Sequence, residues 1–254
     1  MRACSLWVTL GWIVFCTSAW TQDKKAVIEK PEKGVLIKKK DGVATELYLT
    51  TKKPGKEVLS SLKKYDLKGL KTLSLSGTDI TDKGFDLLLQ ATKHPNGTSG
   101  IKSLNLNSNP NITAASIKKL GALKGLESVN LSGMKIGAGG FRELRHLISV
   151  KDLNLSNTDI TDKILLALRK DGTLARYESI NLALTAISDD GLPALTGLTK
   201  LKSLLLTRTN VTDDGMKHLV GLDALQSLAL NRTRVTPKGV AVVNKNLPHC
   251  KVKR

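Results

Sequence analysis

Between Leu201 and Met216 the chain reads L-x-x-L-x-L-x-x-T-x-V-T-D-x-G-M, and the same frame opens again at Leu225. Looking backwards, it starts at Leu70, Ile101, Leu126, Val150 and Tyr177, giving seven copies at steps of 31, 25, 24, 27, 24 and 24 residues. Self-similarity at a period of about 20–29 residues is the signature of a stacked-repeat architecture. Each copy divides into two periods. Leucines two apart, as at Leu73 and Leu75, alternate like a strand and share one face. A helix is predicted to follow, with Thr81 as N-cap, Asp82 at the positive end of its dipole, and Ile80 and Phe85 as a hydrophobic staple. The same chemistry recurs at Thr161 and Asp162, Ser188 and Asp189, and Thr212 and Asp213, and at Thr236 with Pro237 at the first helical position. Leu87 and Leu88, Ile117 and Leu120, Leu144 and Leu147, Leu165 and Leu168, Leu192 and Leu195, and Met216 and Leu219 form the apolar helical faces. Gly121, Gly125, Gly197 and Gly221 stand where such helices end.

The ends of the chain read differently. Residues 1–19 form a signal peptide: Arg2 gives a positive start, residues 6–15 are apolar, and Thr17, Ser18 and Ala19 are small, with cleavage after Ala19. The run is short for a membrane span, and retention as an uncleaved anchor is the competing reading. A polar tail and a capping hairpin occupy residues 20–43, since Asp41-Gly42 between two short apolar runs is a hairpin signal and a solenoid must cover its open end. The array takes residues 44–246. It begins with a degenerate unit, Leu47 and Leu49 as strand and Val58, Leu59 and Leu62 as helix face, and a C-terminal cap follows at 247–254. The long exit through residues 91–100, with Pro95, Asn96 and Gly97, and the extension at 169–172 are expected as surface loops. Of six N-x-S/T sequons, only Asn96 in that exit is credited as an acceptor, because the others fall within the repeat pattern.

Forty Lys and Arg against 22 Asp and Glu point to an acidic partner or anionic surface, a statement about association and not about fold. Cys4 and Cys16 belong to the signal segment, so the mature chain keeps only Cys250 and forms no intrachain disulfide.

Residues 70–246 resemble the leucine-rich repeat family, in the L-x-x-L-x-L-x-x-T-x-I-T-D-x-G-L subtype of ribonuclease-inhibitor-like and F-box-associated repeats, and are similar to secreted bacterial proteins of that subtype. Met134 in place of Thr, and Gly137-Ala138-Gly139-Gly140 in place of the Thr-Asp cap, depart from it. Nothing resembling an F-box precedes the repeats. The resemblance implies an α/β fold, a curved right-handed solenoid with parallel strands inside and helices outside. It also implies a scaffold that binds other macromolecules and carries no catalytic activity, and the signal peptide makes a secreted or periplasmic location the expectation.

If the strands stack, three residues of each line the concave face. The middle row runs through Tyr48, Ser74, Asn105, Asn130, Asn154, Asn181, Leu205 and Ala229, beside Asp152 in the row before and Asn107, Thr207 and Asn231 in the row after. Two readings stand for it: a protein-binding surface, or small polar residues that solvate a sheet and bridge neighbouring strands. Arg208, Arg232 and Arg234 near one end are suited to grip a carboxylate or phosphate. Lys71, Lys102, Lys151 and Lys202 share one repeat position and are expected as a basic ladder, either a solvated face or a means of attachment to anionic envelope polymer. Nucleic acid is disfavoured, because no aromatic stacking platform accompanies the charge. His94, His146, His218 and His249 fall at unrelated repeat positions and offer no metal spacing. Asp189-Asp190-Gly191 and Asp213-Asp214-Gly215 lack the alternating ligands of a calcium loop. No cofactor, metal or catalytic group is expected. Leu155→Ala is expected to lower the unfolding free energy by ~2–5 kcal/mol, measured by urea denaturation; an unchanged midpoint would place this strand in another register.

Overall fold

A computed structural model describes residues 26–32, 34–50, 66–91 and 100–254. The signal segment, the polar tail, Val58, Leu59, Leu62, His94 and Asn96 lie outside the described residues. Eleven strands form one open sheet in sequence order. Strands β1 (Ala26–Glu32), β2 (Val35–Lys40) and β3 (Val43–Leu49) pair antiparallel. The β2–β3 turn places Asp41 and Gly42 at φ 53° and 82°, the left-handed pair that a two-residue hairpin of matching twist requires. From β3 onwards every pairing is parallel, through β4 (Thr72–Ser74), β5 (Ser103–Asn105), β6 (Ser128–Asn130), β7 (Asp152–Asn154), β8 (Ser179–Asn181), β9 (Ser203–Leu205), β10 (Ser227–Ala229) and β11 (Lys251–Lys253). The result is a curved leucine-rich repeat solenoid with the strands on its inner side.

One register carries the core. Leu47, Leu73, Leu104, Val129, Leu153, Ile180, Leu204 and Leu228 pair in succession, all at 2% exposure or less. A second column, Leu75, Leu106, Leu131, Leu155, Leu182, Leu206 and Leu230, is buried as completely. Cys250, just before the last strand, is buried, and burial pushes its thiol pKa up. Beside the columns, Thr78, Thr158, Thr185, Thr209 and Thr233 each donate a hydroxyl to the carbonyl three residues back. Asn109 replaces Thr in that position and binds the carbonyls of Leu75, Leu106 and Asn107. Paired in this way, the buried polar groups do not oppose folding.

On the outer side stand α1 (Asp82–Ala91), α2 (Ala114–Leu120), α3 (Gly137–Glu143), α4 (Asp162–Lys170) and α5 (Pro237–Asn246). The units beginning at Tyr177 and Leu201 depart from the expected α-helices and carry 3₁₀ turns, Leu192–Leu195 and Asp213–His218. Pro193 has no amide to donate, and a 3₁₀ turn covers about 2.0 Å per residue against about 1.5 Å, so a few residues span the convex side. Leu87 faces solvent while Leu88 and Leu89 are buried. Gly121 ends α2 as expected, in the right-handed region; a side chain there would meet His146.

The Thr-Asp pairs do more than cap their own helices. Asp82 accepts the Thr113 amide at 3.0 Å and its hydroxyl at 2.7 Å. Asp162 holds Ser188 in the same way, Asp189 holds Thr212, and Asp213 holds Thr236. Each unit's aspartate thus clasps the next unit's N-cap. It also fixes the glycine of the motif, because a Cβ on Gly191, Gly215 or Gly239 would collide with the preceding unit's carboxylate. Where Gly137 replaces the motif, Asp159 reaches back to the amides of Ile136 and Gly137. Thr161 follows that break and, unlike Thr113, Thr212 and Thr236, makes no side-chain cap. The Thr236 hydroxyl and amide lower the Asp213 pKa; at Asp82, burial opposes the hydrogen bonds from Ser116 and Thr113, which prevail. A carboxylate depressed in the folded state stabilises above its unfolded value, roughly pH 4, and that stabilisation is lost as pH falls through the folded value. Asp213→Asn is therefore expected to melt below wild type at neutral pH and to converge with it towards about pH 2; melting curves separated equally at every pH would exclude the charge.

Candidate functional site

The strand register aligns the concave face into rows. Tyr48, Ser74, Asn105, Asn130, Asn154, Asn181, Leu205, Ala229 and Lys253 pair in succession, as do Glu46, Thr72, Ser103, Ser128, Asp152, Ser179, Ser203, Ser227 and Lys251. At about 4.8 Å per strand, nine strands give a face ~38 Å long.

The asparagines of the middle row do not bridge neighbouring strands through their oxygens. Asn105, Asn130, Asn154 and Asn181 each accept, through Oδ1, the backbone amide two residues on, at Asn107, Ser132, Ser156 and Ala183, over 2.9–3.0 Å. Each side chain closes its own strand-end turn, a local bond that Asn makes readily. Asn181 is besides only 5% exposed, which removes it from the set of residues a partner can touch, and its buried Nδ2 has no hydrogen-bond partner. Ser132, Ser156 and Ala183, expected to face outward in the row after, are buried where the chain turns. Asn107, Thr207 and Asn231 in that row stay half-buried, and Asn107 Oδ1 accepts the Ser108 hydroxyl at 2.7 Å.

Charge is distributed unevenly over the face. At its capped end the Tyr48 hydroxyl donates to Glu46 at 2.6 Å, and Lys38 meets the other Glu46 oxygen at 2.8 Å. Burial would raise the Glu46 pKa, but Lys38 and Tyr48 outweigh it and lower it; burial and the same carboxylate push the Tyr48 phenol upward. Tyr48 is thus engaged within the protein. In the middle, its position against the sheet and the neighbouring Glu178 raise the Asp152 pKa, against Lys151 and Lys202. At the far end Arg208, Arg232 and Arg234 are exposed, and no carboxylate among the described residues pairs with their guanidinium groups.

The lysine ladder is also corrected. Glu127 and Glu178 hold the same repeat position between the lysines, a step the sequence spacing already contains. Lys102 pairs with Glu127 at 2.7 Å, while Glu178 is shared by Lys151 at 3.3 Å and Lys202 at 2.6 Å. The bonds from Lys202 and Lys151 hold the Glu178 carboxyl below its ordinary value, and Lys102 does the same for Glu127. The row is an alternating ion-pair chain, not a uniform basic strip. Beside it Lys124, Lys151, Arg176 and Lys200, with Glu127 and Glu178, line an open cleft of about 410 Å³. Among the described residues no three His, Cys, Asp or Glu side chains stand together as metal ligands would.

Residues 70–88, 146–168 and 197–220 match the family model described as Leucine Rich repeat. In structure the chain is similar to internalin C2 from Listeria monocytogenes, with a TM-score of 0.53 and 24% identity over 77% of this chain and 80% of that one. A further internalin of the same species superposes with a TM-score of 0.39 at 17% identity, covering 76% of this chain and 69% of its own. A comparison with curated proteins finds no match. The matching stretches carry leucine-rich repeats, and the fold is a leucine-rich repeat solenoid with an inner strand face. No helix among the described residues is long and apolar enough to cross a membrane.

Asn154→Ala is expected to cost about 0.5–1.5 kcal/mol by losing the turn bond, and Asn154→Asp, which keeps the acceptor, to cost less. Urea titration of the pair decides the matter: equal losses would mean that the bond to Ser156 does not stabilise the turn.

Proposed function

We propose that the protein is an exported, non-enzymatic scaffold that binds a protein partner on the concave strand face. The observation that carries this reading is the continuous inner face formed by Ser128, Asp152, Ser179 and Ser203 in one strand-paired row. The two strand-paired rows along nine strands, without the buried Asn181, and the half-buried Asn107, Thr207 and Asn231 beside them approach the ~20–30 residues per side of a standard interface. Export rests on the apolar run, the small residues before Trp20 and the likeness to secreted bacterial repeat proteins. The ribonuclease-inhibitor-like subtype rests on the Thr-Asp-x-Gly signature, and the signal, tail, array and cap boundaries on the repeat frame.

A second reading, a basic envelope protein held to anionic polymer, is favoured by the Lys124, Arg176 and Lys200 cleft at the strand-entry edge. The two readings respond differently to salt, which screens exposed charges beyond a few ångströms at molar strength. Residues 20–254 are used as bait on an envelope extract at physiological and molar salt, beside a Ser128→Arg/Ser179→Arg variant that leaves the asparagine turns intact. A discrete partner that survives molar salt and is lost from the variant is expected. Broad capture that disappears from both baits at molar salt would replace this reading with the second.

A further inference from the structure

Seven equivalent residues at the strand exits have left-handed backbone: Gly77, Ser108, Gly133, Asn157, Leu184, Arg208 and Arg232, with φ between 53° and 67°. Side chains with a bulky Cβ substituent are unfavourable there, and Gly or Asn is the easy choice. The first four copies hold small or polar residues. The last three hold Leu184, Arg208 and Arg232, and packing does not account for them. Leu184 is 47% exposed, and both arginines are exposed and unpaired among the described residues. Strained residues without internal reward are drawn to binding sites.

These three side chains stand on consecutive turns of one stack. The Leu184 amide donates to the Thr207 carbonyl and the Arg208 amide to the Asn231 carbonyl, each at 2.9 Å. Neighbouring turns therefore follow the strand spacing of about 4.8 Å. In the last two of these units the middle concave row changes from asparagine to half-buried Leu205 and Ala229. Arg234 and Lys253 add exposed positive charge, and residues 179–187, 203–212, 227–238 and 251–254 contain no Asp or Glu.

We infer that Leu184, Leu205, Arg208, Arg232 and Arg234 form a recognition patch for an acidic peptide segment of a partner protein. An apolar side chain of the segment packs on the two leucines and carboxylates meet the guanidinium groups. The inference rests on the concave-face reading and names its partner chemistry. The leucines select a peptide over a bare polyanion, which would gain nothing from them. Arginine suits the task because its planar fork binds carboxylates bidentately.

The test pans a phage-displayed library of random dodecapeptides on the protein. Recovered peptides are measured by fluorescence anisotropy against wild type and the Leu184→Asn/Arg208→Asn/Arg232→Asn variant, with polyphosphate as a comparison polyanion. Expected are peptides carrying an aliphatic or aromatic residue beside Asp or Glu, weakened by about tenfold or more in the variant. The variant should melt at or above wild type, since Asn tolerates the left-handed backbone. The inference is overturned if no peptide is enriched, if neutral or basic peptides win, if polyphosphate competes as well as the peptides, or if the variant binds equally or melts lower. Should it fail while Ser128→Arg/Ser179→Arg still loses a salt-resistant partner, the concave-face reading stands without it.

Discussion

Everything in this fold depends on one constraint: a repeat unit has no core of its own. Leu153 and Leu155 become interior only because Val129 and Leu131 lie on one side and Ile180 and Leu182 on the other. Burial of apolar surface is thus a property of neighbours, and register between strands is fixed because a slip of one residue would turn every leucine to the solvent. The antiparallel β1–β2–β3 meander and the short Lys251–Lys253 strand sit at the two ends of the sheet. Lysines on a short edge strand discourage further pairing.

Polar bonding follows the same neighbour logic on the outer side and a different one on the inner side. The aspartate clasps run from unit to unit and require glycine opposite them. The asparagine oxygens of the inner face bind within their own unit. The outer bonds therefore hold the units together, while the inner ones shape each turn and leave the serine row facing the solvent. A solenoid arranged in this way keeps the serine row of its inner face independent of the aspartate clasps between its units. Substitutions in the serine row therefore leave the clasps between units untouched.

The inner face divides along its length. Near the cap, Tyr48, Glu46 and Lys38 satisfy one another. Through the middle, asparagines and serines present small dipoles, with Asp152 the acidic exception. Towards the far end Leu184, Leu205, Arg208 and Arg232 make the face apolar and basic, and residues 203–212, 227–238 and 251–254 hold no acid to neutralise it. The distribution of unpaired charge and exposed apolar surface, and not the total basic excess, sets this end of the face apart.

The sequence by itself determined the repeat frame, both leucine columns and the strand register, because a strict period of two in strands and a repeat of roughly 24 residues leave one way to bury the leucines. It also held Glu127 and Glu178 at the lysine position. Other features were decided only by tertiary structure. The carboxylate of Asp189 reaches Thr212 in the next unit, the Asn154 oxygen turns back to Ser156, and Leu184, Arg208 and Arg232 occupy left-handed backbone on one stack. Local pattern states which residues recur, but a bond between units depends on how far apart stacked backbones stand, and backbone handedness at a turn is set by the closure of the whole coil.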